Sequence, residues 1–112
     1  VTIDEQDIFN VTMNESLAVA LLTNLLKNAF VHNIDGGHIR ITVTKNSITF
    51  RNSGVENPLD KEHIFERFYQ GTKKEGSTGL GLAIADSICR LQHLSIRYYF
   101  EQKEHCFEIS RQ

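Results

Sequence analysis

Three observations predict an α+β domain with helices layered on one face of a sheet. Apolar residues from about Ser16 to Phe30 recur at helical spacing, two pairs of short alternating segments read as hairpins, and a second helical pattern begins near Leu80, between the two pairs. The 112 residues suit one domain and are too few for two ordinary ones.

The first helix carries Leu17, Ala18, Leu21, Leu22, Leu25, Leu26, Ala29 and Phe30, which gives it a greasy face. Asn14 or Ser16 can cap its start, with Glu15 favourable in the first turn, and it gives way near Asn33 and Asp35-Gly36-Gly37. Ile39, Ile41 and Val43 then alternate with Arg40, Thr42 and Thr44, and Ile48 and Phe50 alternate with Thr49 and Arg51. Joined by Lys45-Asn46-Ser47, they predict an antiparallel hairpin with one face buried. A polar segment with the only proline, Pro58, follows, then Ile64, Phe65, Phe68 and Tyr69 on an expected short helix. Residues from Tyr69 to Thr78 are polar and open a region, Gly71 to Gly81, that holds four of the seven glycines, the composition of a mobile loop. The second helix buries Leu82, Ile84, Ala85, Ile88, Cys89 and Leu91. Ile96 to Phe100 and Cys106 to Ile109 form a closing hairpin, turned at Gln102-Lys103-Glu104.

Composition removes several classes. With 12 Lys+Arg against 14 Asp+Glu the chain is slightly acidic, so it shows no basic footprint for nucleic acid. No apolar run approaches the roughly 20 residues of a membrane helix, and no signal-peptide pattern opens the chain. Without such a signal, the acceptor patterns at Asn10 and Asn14 read as chance rather than glycosylation sites. Cys89 and Cys106 make neither a disulfide framework nor a zinc spacing and suit a reducing compartment; Cys89 with His93 at i,i+4 reads as a buried thiol near a surface imidazole. The start at Val1 is what a piece of a longer polypeptide would show.

Two places could carry chemistry. Gly76-Ser77-Thr78-Gly79-Leu80-Gly81-Leu82 runs into a helix, where unpaired N–H groups and the positive end of the dipole suit phosphate and glycines let the backbone approach an anion. It is neither a P-loop, since Leu82 and Ala83 follow Gly81, nor a dinucleotide fingerprint, since Ile84 stands where the third glycine is needed. By itself it equally describes a flexible turn and a tight helix start. Asn24 and Asn28 lie one turn apart, roughly 40° around the axis, with His32 at the same spacing beyond. An amide oxygen can ligate Mg²⁺ beside phosphates, and the plainer alternative is a pair of amides facing solvent.

Taken in order, these pieces resemble the ATP-binding catalytic domain of sensor histidine kinases, in the superfamily shared with DNA gyrase, Hsp90 and MutL. The resemblance covers nearly the whole chain. Asn24-Leu25-Leu26-Lys27-Asn28-Ala29 is similar to the N box, Ile64-Phe65-Glu66-Arg67-Phe68-Tyr69 to the F box, and Gly76 to Leu82 to the second glycine box. It implies a two-layer α/β sandwich of the Bergerat type, with a mixed, mostly antiparallel sheet and helices on one face, over residues 1–112. It also implies ATP and Mg²⁺ as ligands. Asn28 would coordinate the metal, Asn24 would lie near the γ-phosphate, and His32 near the phosphates. Asn52 would meet the adenine amino group, with Gly54 letting the base approach. Phe65 and Phe68 belong to the F box, and Thr78, Gly79, Leu80, Gly81 and Leu82 to the phosphate-binding turn, with residues 69–78 as a lid.

The chain departs from the pattern at Asn52, where the family usually has Asp, at Glu56, where it has a second glycine, and at Val31 and Gln70, where basic residues are common. Lys27, Lys73 and Lys74 are the cations that could compensate. None of His32, His38, His63, His93 and His105 is followed by an acidic residue, as the family's phosphoacceptor usually is. The resemblance therefore implies a catalytic half that phosphorylates a histidine on a separate dimerisation domain. The parent would be a homodimeric, membrane-anchored sensor serving a response regulator, with this part in the cytoplasm. The alternative is a degenerate nucleotide-binding or docking module without phosphotransfer. An ATP-hydrolysing switch fits less well, because Asn24 stands where those proteins use an acid to activate water.

Overall fold

In the computed structural model, residues 1–31, 37–54, 63–66 and 80–111 are described. The elements run β1 (Thr2–Glu5), α1 (Glu15–Val31), β2 (Ile39–Val43), β3 (Ser47–Ser53), α2 (Gly81–Leu91), β4 (Leu94–Glu101) and β5 (Glu104–Arg111). They form one five-stranded sheet in the order β1-β2-β3-β5-β4. Only the β1–β2 pair is parallel; the other three are antiparallel. The chain is thus the α+β arrangement that the sequence predicts.

Register sorts the two faces. Ile41, Phe50, Phe107 and Tyr98 stand side by side across four strands, and Val43, Ile48, Ile109 and Ile96 form the next row. Leu21 and Leu25 of α1, and Ala85, Ile88 and Cys89 of α2, close over these rows in a single core. The alternate rows carry Arg40, Arg51, Cys106 and Tyr99, then Thr42, Thr49, Glu108 and Arg97. These polar rows are laced together by Arg51 Nη1 donating to Thr42 Oγ1 (2.8 Å) and by the Arg97–Glu108 ion pair (2.7 Å).

Local chemistry sets the boundaries. Asn14 caps α1, its Oδ1 accepting from the Leu17 N–H at 3.2 Å. Between β2 and β3, the Thr44 hydroxyl accepts from the N–H groups of Asn46 and Ser47 at 3.2 and 3.1 Å, so Ser47 already belongs to β3. Arg111 ties the chain ends together: it donates to the Lys45 carbonyl (2.8 Å) and to the Asn10 carbonyl, and lies 4.8 Å above the Phe9 ring.

Three features differ from the sequence expectation. In α2, Ile84 and Leu91 were expected in the core but are exposed, because the face that packs inward is centred on Ala85, Ile88 and Cys89. β1 was not expected, because Thr2–Glu5 has no buried face: all four residues are exposed, and the strand is held by its ladder to β2. The β4–β5 turn is also shorter. Only Gln102 and Lys103 form it, with φ of 52° and 63°, and Glu104 is the first residue of β5 and is buried. Of the expected short helix only residues 63–66 are described; they form a turn whose Ile64 is part of the core. Cys89 and Cys106 are free buried thiols, and His93 is exposed beyond the end of α2.

Candidate functional site

α1 packs against both α2 and β3, which brings the three segments singled out in the sequence to one end of the helical layer. Asn24 faces α2. Its Nδ2 donates to the Ala20 carbonyl one turn back (2.8 Å), and its Oδ1 lies 3.2 Å from where a side chain on Gly81 would begin. A solvent-facing amide pair is therefore excluded for Asn24. A long residue in place of Gly81 would have to displace that oxygen. Asn28, one turn on, is half-buried, whereas Lys27 is exposed.

The start of α2 suits an anion. Leu80 occupies the cap position with no side-chain hydrogen bond, and the first turn holds no acidic residue. The N–H groups of the first turn have no carbonyl of their own helix to bond, and the turn itself places no carboxylate at the positive end of the dipole. The ladder begins with Ile84 N–H donating to the Leu80 carbonyl at 2.9 Å. Gly81 keeps this terminus open, while Leu82 packs against the core. Phe65 likewise packs inward, meeting Phe107 edge-to-face at 6.2 Å. His32, Phe68, Thr78 and Gly79 lie outside the described residues, as do the whole of the expected lid (residues 69–78), Val31's side chain and Glu56.

The end of β3 forms the third wall. Asn52 is 1% exposed and donates from Nδ2 to the Ser53 carbonyl at 3.1 Å. Ser53 is fastened to His38: its Oγ accepts from the His38 N–H (2.7 Å) and donates to the His38 carbonyl (3.2 Å). Gly54 is buried against a residue the sequence reading did not single out. A Cβ at Gly54 would fall 2.2 Å from His105 Cδ2 and 2.5 Å from Nε2, so only glycine fits here without displacing the imidazole. His105 pairs in register with Asn52, and its Nδ1 hydrogen-bonds the Tyr98 hydroxyl at 2.7 Å. The alternation with Phe107 and Ile109 does place His105 on the inner face. Its position opposite Asn52, however, depends on a strand register that the misplaced turn concealed.

Behind this wall, on the polar face, the buried Glu104 carboxylate accepts from His38 Nε2 (2.7 Å) and Arg40 Nη2 (3.0 Å). These contacts hold the β2–β3 end against β5. The described residues bring together a helix start with no side-chain cap, the Asn24 amide oxygen on the facing helix and a buried polar strand end. The donors of that helix start fit a phosphate-bearing ligand, and the amide oxygens of α1 fit a hard cation.

Residues 13–110 match the family described as histidine kinase-, DNA gyrase B-, and HSP90-like ATPase, and the chain belongs to that family. Among its relatives, the sensor histidine kinase RppB of Synechocystis sp. is 43% identical over 84 residues, which is 67% of this chain and 18% of that protein. The heme sensor protein HssS of Staphylococcus aureus is 39% identical over 90 residues, 76% of this chain and 20% of the relative. The chain thus spans about a fifth of the length of these relatives. The fold matches the nucleotide-free catalytic domain of histidine kinase ThkA with a TM-score of 0.79 at 23% identity, covering 96% of this chain and 74% of that one. It matches the mycobacterial sensor histidine kinase MprB with a TM-score of 0.77 at 20% identity, over 97% and 84% of the two chains.

Proposed function

We propose that this chain is the ATP-binding catalytic unit of a sensor histidine kinase, which binds Mg·ATP and presents the γ-phosphoryl group to a histidine on a separate dimerisation domain. The observation that carries this reading is the close approach of the Asn24 amide oxygen to Gly81 at the start of α2, which joins the N-box helix to the phosphate-binding turn. The N–H groups at Leu80 and Gly81 bind phosphate oxygens, and Asn28 holds the cation through its amide oxygen. Mg²⁺ held there would supply charge neutralisation at the phosphates, while the terminal phosphoryl group passes from the β-phosphate oxygen, which leaves with ADP, to the acceptor histidine nitrogen. The chain's own contribution is positioning: two helix segments orient the triphosphate, while Asn52 and Gly54 hold the base. The same reading assigns Lys27, His32, Thr78 and Gly79 to the phosphates, and counts Phe65, Phe68 and Leu82 among the ATP-binding residues.

The reading extends to partners. The acceptor histidine, a downstream response regulator and a second copy of the parent all lie outside this chain, and the parent is a membrane-anchored sensor with this domain in the cytoplasm. No described helix is long and apolar enough to cross a membrane.

Calorimetric titration with ATP and ADP, with and without Mg²⁺, tests the site. Magnesium-dependent binding is expected, weakened about tenfold or more in Asn28→Ala. No binding at millimolar nucleotide by the folded chain would overturn the reading and leave a docking module that keeps the fold without phosphotransfer.

A further inference from the structure

We propose that His105 is the positioning residue of the base pocket: locked by Tyr98, its imidazole sets where the Asn52–Gly54 backbone stands and thereby tunes the preference for adenine over other bases. The inference rests on the reading of this site as an ATP site. It adds a residue that the box motifs do not contain.

Three contacts hold the buried ring. His105 is 5% exposed, its Nδ1 bonds the Tyr98 hydroxyl at 2.7 Å, its ring stacks at 5.8 Å and 23° on the Tyr98 ring, and Phe100 tilts against it at 4.9 Å. Tyr98 is itself locked, 5% exposed and packed at 5.1 Å on Phe107 of the core. The imidazole therefore cannot yield, and its remaining edge, Cδ2 and Nε2, faces the α-carbon of Gly54. Directly across the ladder stands Asn52, the residue that would read the base. A smaller side chain at 105 would leave a void into which the Gly54 backbone could sink. Groups that read a base through buried hydrogen bonds must be held to within about 0.5 Å, and discrimination falls when those pairs are lost.

The test compares Kd for ATP and for GTP in the full chain, at a temperature where each variant is folded by circular dichroism. His105→Ala is expected to weaken ATP about tenfold and to shrink the ATP-over-GTP ratio by a similar factor. Tyr98→Phe keeps the packing, frees the imidazole from one hydrogen bond, and is expected to give the same pattern at about fivefold. It also stands in if His105→Ala does not fold. Gly54→Ala should abolish binding, and adding His105→Ala to it should restore part, because the imidazole is what the new methyl group strikes. An unchanged ATP-over-GTP ratio in Tyr98→Phe and His105→Ala, or no rescue in the double variant, would overturn the proposal while leaving ATP binding intact. Failure of the unaltered chain to bind ATP would instead remove the site, and this inference with it.

Discussion

Asn24 commits its amide donor to the Ala20 carbonyl, so its oxygen is the part left facing Gly81. Asparagine is a mediocre helix former, and back-bonding to the preceding turn explains how one sits here without leaving the helix unsatisfied. Gly81→Ala should therefore separate stability from binding. Better helix propensity and displacement of a side-chain oxygen oppose each other, so the unfolding free energy is expected to change by less than about 1 kcal/mol. ATP affinity should still fall several-fold as Asn24 and the first turn of α2 are pushed apart, which urea denaturation and calorimetry on one preparation would show. Equal losses in both would mean that the contact is only packing. At this scale the asparagine pair and glycine turn were visible in the sequence, because helical spacing fixes which residues share a face. His105 and Tyr98 were not, because their partners come from another strand.

At the scale of elements, the β4–β5 hairpin is built on an unfavourable turn. Gln102 and Lys103 both sit at positive φ, the conformation a two-residue hairpin demands and that Asn-Gly supplies without the same steric cost. Replacing Gln102-Lys103 by Asn-Gly is expected to stabilise the fold by about 1–2 kcal/mol, read as a higher urea midpoint with an unchanged slope. A lower midpoint would mean that the native pair is held by contacts along its side chains. The same turn explains why the hairpin's position was misjudged: without Gly or Asn to mark it, one residue of uncertainty moved Glu104 out of its strand. β1 escaped for a different reason. A strand held only by backbone bonds to its neighbour leaves no alternation to read.

For the molecule as a whole, the two thiols report on closure of both layers. Cys89 lies between the helices and the sheet, and Cys106 lies on the polar face, yet they are 1% and 0% exposed. Burial, with Asp86 nearby, pushes the Cys89 thiol up to about 11. Burial is also the main cause at Cys106, pushed up to about 11 against the pull of Arg51. Both are protonated in the folded chain, so their contribution to stability is complete below the ordinary value of 9.0 and is lost as pH rises from there toward about 11, where the unfolded thiols ionise first. Urea midpoints should fall between about pH 9 and 11, the span between free and buried thiol, and less steeply in a Cys89→Ala/Cys106→Ala variant. Parallel curves would show that other groups govern the alkaline limb. Thiol reagents should react with neither cysteine until the chain unfolds.

The sequence by itself determined the α+β class, the extents of both helices, the first hairpin and the family's boxes. Each of these follows from a short-range period or a contiguous run of residues. Tertiary structure decided the rest: the parallel edge strand β1, the place of Glu104 between His38 and Arg40, the meeting of Asn24 with Gly81, and the imidazole of His105 beneath Gly54. Those features join residues up to 66 positions apart, and such pairings are set by strand register and layer packing, which no local pattern encodes.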